Sequence, residues 1–292
     1  MSVSSGTKQS FSVVSGYSTN VIDHIPSIIG FLARDIVVNQ KTIAFFENIR
    51  AGSLDLISFR YWLNVDELGD VVAIAFTRTI DDPVMLIGTP NASDSFWKKV
   101  FVQGFVFEGE VTSLDLFSRV VGQNRNFIIS RSKDIMSCTA LEFEKPNISL
   151  PVEFHVRIAD ETHQQQLTEL YKLFAESVNF NVDSPSSIAR MIGRGKFFIA
   201  YSAADNHIAS VVFLTNPSLS VSRITFVYTR GESRRKGLSK ALVHQATKVA
   251  LNEGRACTLF VDAANHAAIS TYEAVGFRKI SQYQLRQLER LI

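Results

Sequence analysis

The residues best suited to chemistry stand near the C-terminus, in Ile224-Thr-Phe-Val-Tyr-Thr-Arg-Gly-Glu-Ser-Arg234-Arg-Lys-Gly237-Leu-Ser239. An apolar strand pattern there runs into a basic, glycine-bearing turn, and an amphipathic stretch from Leu238 to Glu253 follows. A helix N-terminus aims several unpaired main-chain N–H groups, and the positive end of its dipole, at one point, which suits a phosphate. Gly237 has no Cβ and lets a ligand oxygen approach the backbone, while Arg234, Arg235 and Lys236 add positive charge at the rim. A basic turn before a helix is common, and alone it indicates only an anion site. A second constellation follows independently: the buried-strand pattern Cys257–Val261, then Asp262-Ala-Ala-Asn265-His-Ala-Ala-Ile-Ser-Thr-Tyr272-Glu-Ala-Val-Gly276-Phe277. Asn265 is placed there as a helix N-cap. Tyr272 shares a helical face with Ala268 and Ile269, which by itself describes a packed aromatic.

Together the two constellations resemble the GNAT superfamily of acyl-CoA-dependent N-acyltransferases. That family's loop has the form Arg/Gln-x-x-Gly-x-Gly/Ala, and Arg234-Arg-Lys-Gly237-Leu-Ser239 matches it with serine in the last small-residue position. The family's later signature, an Asn, a short helix carrying a Tyr, then Gly-Phe, is matched by Asn265, Tyr272, Gly276 and Phe277. The resemblance covers about half the chain, from roughly Pro151 to the end. It implies that the backbone of Phe226, Val227, Tyr228 and Thr229 pairs with a pantetheine arm, and that the amides of Arg234, Arg235, Lys236, Gly237, Leu238 and Ser239 hold a pyrophosphate. It also implies that Asn265 lies near the pantetheine and that Tyr272 supplies the departing thiolate with a proton or hydrogen bond. The co-substrate would be acetyl-CoA or a slightly larger acyl-CoA, and the acceptor an amine of a small molecule or peptide.

Such a transfer also needs a neutral amine, and an ammonium with a pKa of about 10.4 must lose a proton first. Glu176, Asp183 and His244 are conceivable bases but read first as solvated or capping residues, His266 could line the cleft but reads first as an exposed histidine, and the base is left unassigned. A reading from another class is a non-catalytic acyl-CoA-binding sensor, against which the presence of Tyr272 argues. Nucleic-acid binding through Arg234-Arg-Lys is disfavoured because the basic patch is short and has no aromatic stacking platform beside it.

The elements that must position these residues follow from periodicity. Two prolines, Pro146 and Pro151, punctuate the stretch between periodic regions, and the expected boundary separates a domain at 1–148 from a catalytic domain at 149–292. After it, His155–Ile158 is a strand, Asp160 a helix N-cap, and Leu167, Leu170, Tyr171 and Phe174 one helical face. Lys196–Tyr201 and Ile208–Phe213 form a hairpin around Asp205-Asn206. With Ile224–Tyr228, the helix from Leu238, the strand at Cys257, the helix carrying Tyr272 and a strand at Lys279–Leu285, the expected fold is a mixed α/β sheet of GNAT type. The first half echoes this order: a hairpin at Tyr61–Asn64 and Val71–Phe76 around Gly69, a strand at Val84–Ile87, a helix at Asp94–Val102, a strand at Phe105–Phe107, a helix near Leu114–Val121 and a strand at Ile135–Phe143. Two readings of that half stand, a degenerate tandem GNAT-like domain and an unrelated α/β cap. Where its pyrophosphate loop would lie it reads Gly88-Thr-Pro-Asn-Ala-Ser, without the Arg-x-x-Gly pattern, so no acyl-CoA site is expected there.

Composition bounds the rest. The 292 residues, 46% hydrophobic and 20% charged, describe a globular chain with ample core material. A net charge of +2 is too small to make nucleic acid or an anionic membrane the main partner. Cys138 and Cys257 lie in apolar runs that suit buried reduced thiols, and no metal site is expected. The start of the chain lacks the charged and apolar regions of a secretory signal, and no apolar run reaches membrane-spanning length, so a cytoplasmic soluble protein is expected. An internal duplication could supply the partner domain that single-domain relatives obtain by dimerising, which favours a monomer.

Overall fold

The computed structural model describes residues 12–54, 58–79, 81–102, 106–122, 126–143, 150–178, 186–204 and 206–289. The chain divides into two compact units, one made of Met1–Lys133 with Ser281–Ile292 and the other of Asp134–Ile280.

The first unit runs β1 (Ser12–Tyr17), α1 (Ser18–Val21), α2 (Ile25–Leu32), α3 (Ile36–Arg50), β2 (Arg60–Val65), β3 (Val71–Thr77), β4 (Val84–Gly88), α4 (Asp94–Phe101), β5 (Val106–Glu110) and α5 (Val111–Val121). Strands β1 to β4 form an antiparallel meander, and β5 then joins β4 in parallel after α4 has crossed between them. Side chains alternate between two cores, as a sheet covered on both faces requires. Tyr61, Leu63, Ile74 and Phe76 pack with α2 and α3, while Trp62, Ala73 and Ala75 pack with Phe96 and Trp97 of α4 and Phe117 of α5. Gly69 turns the β2–β3 hairpin at a φ of +86°, a left-handed value that glycine adopts without strain.

The second unit repeats that order. After β6 (Phe127–Cys138), whose residues from Asp134 onward belong here, come β7 (Phe154–Ile158), α6 (Gln164–Ser177), α7 (Ser186–Ile192), β8 (Gly195–Ser202), β9 (Ile208–Thr215), β10 (Val221–Thr229), α8 (Leu238–Asn252), β11 (Ala256–Asp262), α9 (His266–Glu273) and β12 (Arg278–Leu288). Strands β7 to β10 are again an antiparallel meander, and β11 joins β10 in parallel after α8. Asp160 caps the helical segment before α6, its carboxylate accepting the Thr162 N–H at 2.9 Å. Leu167 and Leu170 of α6 lie in one core cluster with Phe197, Phe213 and Phe226. On the other face Leu238, Leu242, Ala246 and Ala250 of α8 form the apolar stripe that packs with Leu214, Ile224 and Leu259.

The last strand of each unit comes from the other half of the chain. Within the second unit's sheet β6 lies beside β11. From Ser281 onward β12 belongs to the first unit, antiparallel to β5 with Tyr283 opposite Glu110. There Arg286 bridges Asp115 at 2.6 Å and donates to Ser118 at 3.1 Å. A single division at 148/149 therefore differs from the compact units, which are separated at Lys133/Asp134 and again at Ile280/Ser281.

Other differences are local. The strand expected at Ile135–Phe143 ends at Cys138, because the Glu142 carboxylate accepts from the Thr139 N–H at 3.0 Å and hydroxyl at 2.9 Å and closes a turn. Phe105, Pro146, Asp183 and Asp205 lie outside the described residues. No helix among the described residues is long and apolar enough to cross a membrane.

Candidate functional site

The site begins where β10 parts from β11. Their parallel ladder runs from Val221 opposite Ala256 to Ile224 opposite Leu259 and ends there, although β10 continues to Thr229 and β11 to Asp262. On its other edge β10 stays paired with β9, but the register shifts between Thr225 and Tyr228. Phe226 occupies that bulge at a φ of +46°, a costly conformation for an aromatic residue. Packing holds it: the ring is buried, with centroids 5.2 Å from those of Tyr171 and Phe174 on α6. The bulge turns the stretch Phe226–Thr229 out of the β11 ladder and leaves a wedge whose wall is β10 backbone.

Arg230 anchors the end of this strand. Its N–H donates to the Ala209 carbonyl at 2.9 Å, its Nε to the Ile208 carbonyl at 2.9 Å and its Nη1 to Glu169 at 3.0 Å. The Arg230 hydrogen bond in turn holds the Glu169 carboxyl below its ordinary range. Sequence reasoning missed this residue, because an arginine after an apolar strand has no pattern that separates anchoring from surface charge.

From Gly231 to Ser233 the chain makes one 3-10 turn. Arg235 at φ +62° and Gly237 at φ +77° then reverse it into α8. Gly237 is the N-cap and has no side chain to satisfy the helix start; its carbonyl accepts the first helical bond, from Ala241 at 3.0 Å. No main-chain N–H from Arg235 to Lys240 donates to an acceptor among the described residues. A row of open amides at a helix start has the geometry that can receive an anion. A Cβ on Gly237 would meet nothing within 4 Å, so the left-handed φ, not crowding, asks for glycine.

Two of the three basic side chains are engaged elsewhere. Arg234 donates from Nε to the Thr229 carbonyl at 3.2 Å and lies 6.0 Å from the Tyr228 ring, while Lys236 Nζ sits 5.0 Å from the Phe154 ring centroid. Arg235 is exposed. Leu238, the first residue of α8, is buried, and Ser239 is half-buried.

Tyr272 and Asn265 come from the opposite side of the parted strands. Asn265, exposed at the end of the β11–α9 turn, caps α9 by accepting the Ala268 N–H at 3.1 Å. The Tyr272 ring belongs to the same core cluster as Leu238 and Leu242, so α8's first turn and the phenol share one packed core. Tyr272 is 7% exposed, and its hydroxyl has no hydrogen-bond partner among the described residues. Burial pushes the phenol up to about 12. Gly276 at φ +107° turns the chain so that Phe277 N–H reaches the Tyr272 carbonyl at 3.1 Å.

The remaining candidates are placed as follows. His244 is stacked on Phe143 at 4.8 Å with Nε2 buried and unpartnered, and burial, with Lys248 nearby, pulls its pKa down. Glu176 and His266 are exposed. Cys138 and Cys257 are buried, and burial pushes the Cys257 thiol up to about 12. Among the described residues no cluster of three or more His, Cys, Asp or Glu could hold a metal ion. At the corresponding helix start of the first unit, the Ser93 hydroxyl accepts the Phe96 N–H at 3.3 Å, and Ser93 N–H donates to buried Asn64 at 2.6 Å. A Cβ on Gly88 there would lie 2.7 Å from the Trp97 ring. That helix start is capped by its own protein.

Residues 213–286 match the family model described as FR47-like protein. Over nearly its whole length the chain is similar to solved structures of low sequence identity. An acetyltransferase of the GNAT family from Colwellia psychrerythraea is 10% identical with a TM-score of 0.63, covering 96% of this chain and 100% of that one. A tandem GNAT protein of the clavulanic acid biosynthesis pathway is 12% identical with a TM-score of 0.61, covering 95% and 98%. A GCN5-related N-acetyltransferase from Sphaerobacter thermophilus is 15% identical with a TM-score of 0.60, covering 94% of each chain. No curated protein matches the sequence significantly.

Proposed function

We propose that this chain, which has the GNAT fold in tandem and carries an FR47-like segment at 213–286, transfers an acetyl or other small acyl group from acyl-CoA to an amine. The observation that carries this reading is the parting of β10 from β11 after Ile224, with the open amides of Arg235–Lys240 at one end of the wedge and Tyr272 packed into the adjoining core. The backbone of Phe226–Thr229 pairs with the pantetheine arm. The amides around Gly237 take the pyrophosphate, with a helix-dipole contribution of roughly 0.3–2 kcal/mol. The side chains of Arg234 and Lys236 contribute little, being engaged by Thr229 and Phe154.

In the reaction the amine nitrogen attacks the thioester carbonyl carbon, the C–N bond forms, the C–S bond breaks, and the amine's proton leaves through solvent. A phenol at about 12 is a far weaker acid than a thiol of about 8.5. Tyr272 therefore keeps its proton and stabilises the departing thiolate as a hydrogen-bond donor, an interaction that strengthens as charge develops on sulfur. The first unit, whose corresponding helix start is self-capped, binds no acyl-CoA.

The test is release of free CoA thiol from acetyl-CoA over a broad panel of amines, with Gly237→Glu as control. Turnover above that control is expected. Tight acetyl-CoA binding with no turnover, unaffected by Tyr272→Phe, would instead identify an acyl-CoA-binding module.

A further inference from the structure

On the face of the second unit's sheet that carries α6 and α7 lies a cavity of about 270 Å³ with an unusual lining. Arg190 and Met191 of α7 and Arg194 of the turn after it form one side; Phe213 and Thr215 of β9 and Arg223 and Thr225 of β10 form the other. The strand residues are paired across the ladder, Arg223 with Thr215 and Thr225 with Phe213, so all four side chains point to this face. Leu214 and Ile224 between them point the other way, into the α8 core.

Among the described residues every ionisable group in the lining is an arginine. None of the three has an ion-pair partner among the described residues, and Arg223 Nε is buried with no hydrogen-bond acceptor. Burial without a partner is costly for a guanidinium, and here it pulls the Arg223 pKa down. Three cations around one cavity, with no counter-charge among the described residues, form a stable arrangement when an anion completes it. Arginine's planar fork suits a carboxylate or phosphate, and the Thr215 and Thr225 hydroxyls add donors. The cavity also lies at the right place along β10: Thr225 immediately precedes the bulged Phe226, and the β11 ladder has just ended at Ile224.

We propose that this cavity seats the acceptor, and that the acceptor is an amine bearing an anionic group, carboxylate or phosphate, held by Arg223 with Arg190 and Arg194. This rests on the acyltransferase reading for the word acceptor, and on the cavity alone for the anion.

The experiment has two arms on the full-length protein. In the first, inorganic phosphate and a panel of amino acids, each beside its uncharged carboxamide, are tested for binding by calorimetry without acetyl-CoA. In the second, the same amines, with O-phosphoethanolamine beside ethanolamine, are tested as acceptors by thiol release. Anionic compounds are expected to bind and to show KM values at least about 10-fold below those of their uncharged counterparts. Arg223→Gln should remove that preference while leaving acetyl-CoA affinity unchanged. Should that variant fail to fold, the exposed pair Arg190→Gln and Arg194→Gln serves the same purpose. Preference for carboxylates over phosphates, or the reverse, identifies which anion the site takes. Equal use of charged and uncharged amines, with no anion binding that depends on Arg190, Arg194 or Arg223, overturns the proposal and leaves the acyltransferase reading intact. Arginine-dependent anion binding with no thiol release from any amine supports the anion site and counts against the acyltransferase reading.

Discussion

Tyr272 combines two properties that a sequence pattern would assign to different residues. Its ring is core material, packed with Leu238 and Phe277, yet its hydroxyl has no partner among the described residues. The ring is buried while the hydroxyl is absent from the buried unsatisfied atoms, so the oxygen stays open to solvent and can donate to a bound ligand atom. Tyr272→Phe should keep the packing and lose only the donor. The expected outcome is a fall in kcat of about 10²-fold, with acetyl-CoA affinity nearly unchanged. Because a phenol at about 12 stays protonated through neutral pH, the shape of the pH–rate profile between pH 6 and 9 should be the same in wild type and variant. A profile whose basic limb moves in the variant would mean that Tyr272 itself titrates in that range.

At the scale of elements, the site is made from the ends of regular structure. β10 contributes because it leaves its ladder, α8 because no side chain among the described residues caps its first turn, and α9 because Asn265 sets its start. Asn265 was legible in the sequence as an N-cap, and the cap is present. Asn265→Ala should destabilise the protein by about 1 kcal/mol in urea unfolding, and Asn265→Asp should restore most of that loss. An equal loss in both variants would show that the side chain does more than accept the Ala268 N–H. The Phe226 bulge was not legible, since Phe-Val-Tyr reads as uninterrupted strand; its left-handed φ is imposed by Tyr171 and Phe174, distant in sequence.

For the whole molecule, the consequence of most practical weight is that each unit ends with a strand from the other half of the chain. Leu288 is buried, and Gln284 and Arg286 of β12 are buried polar groups, so Ser281–Ile292 completes the first unit although it closes the sequence of the second half. Deleting residues 281–292 should expose the β5 edge and strand Asp115 without its arginine. Limited proteolysis of the deletion variant is expected to cut the first unit rapidly and to spare 134–280. Equal resistance of both units would contradict that assignment.

The amino-acid sequence by itself determined the local pieces: the hairpins, the helix beginning at Leu238, the Asn265 cap, and the two spaced motifs whose chemistry depends on glycine, asparagine and tyrosine at set positions. These are legible because periodicity, capping and left-handed turns are decided by neighbours a few residues apart. Tertiary structure alone decided the parting of β10 from β11, the burial of Arg230 against Glu169, the gathering of Arg190, Arg194 and Arg223 around one cavity, and the exchange of final strands. Each of these joins residues far apart in the chain, where contact depends on how sheets and helices pack and no short-range pattern records the outcome.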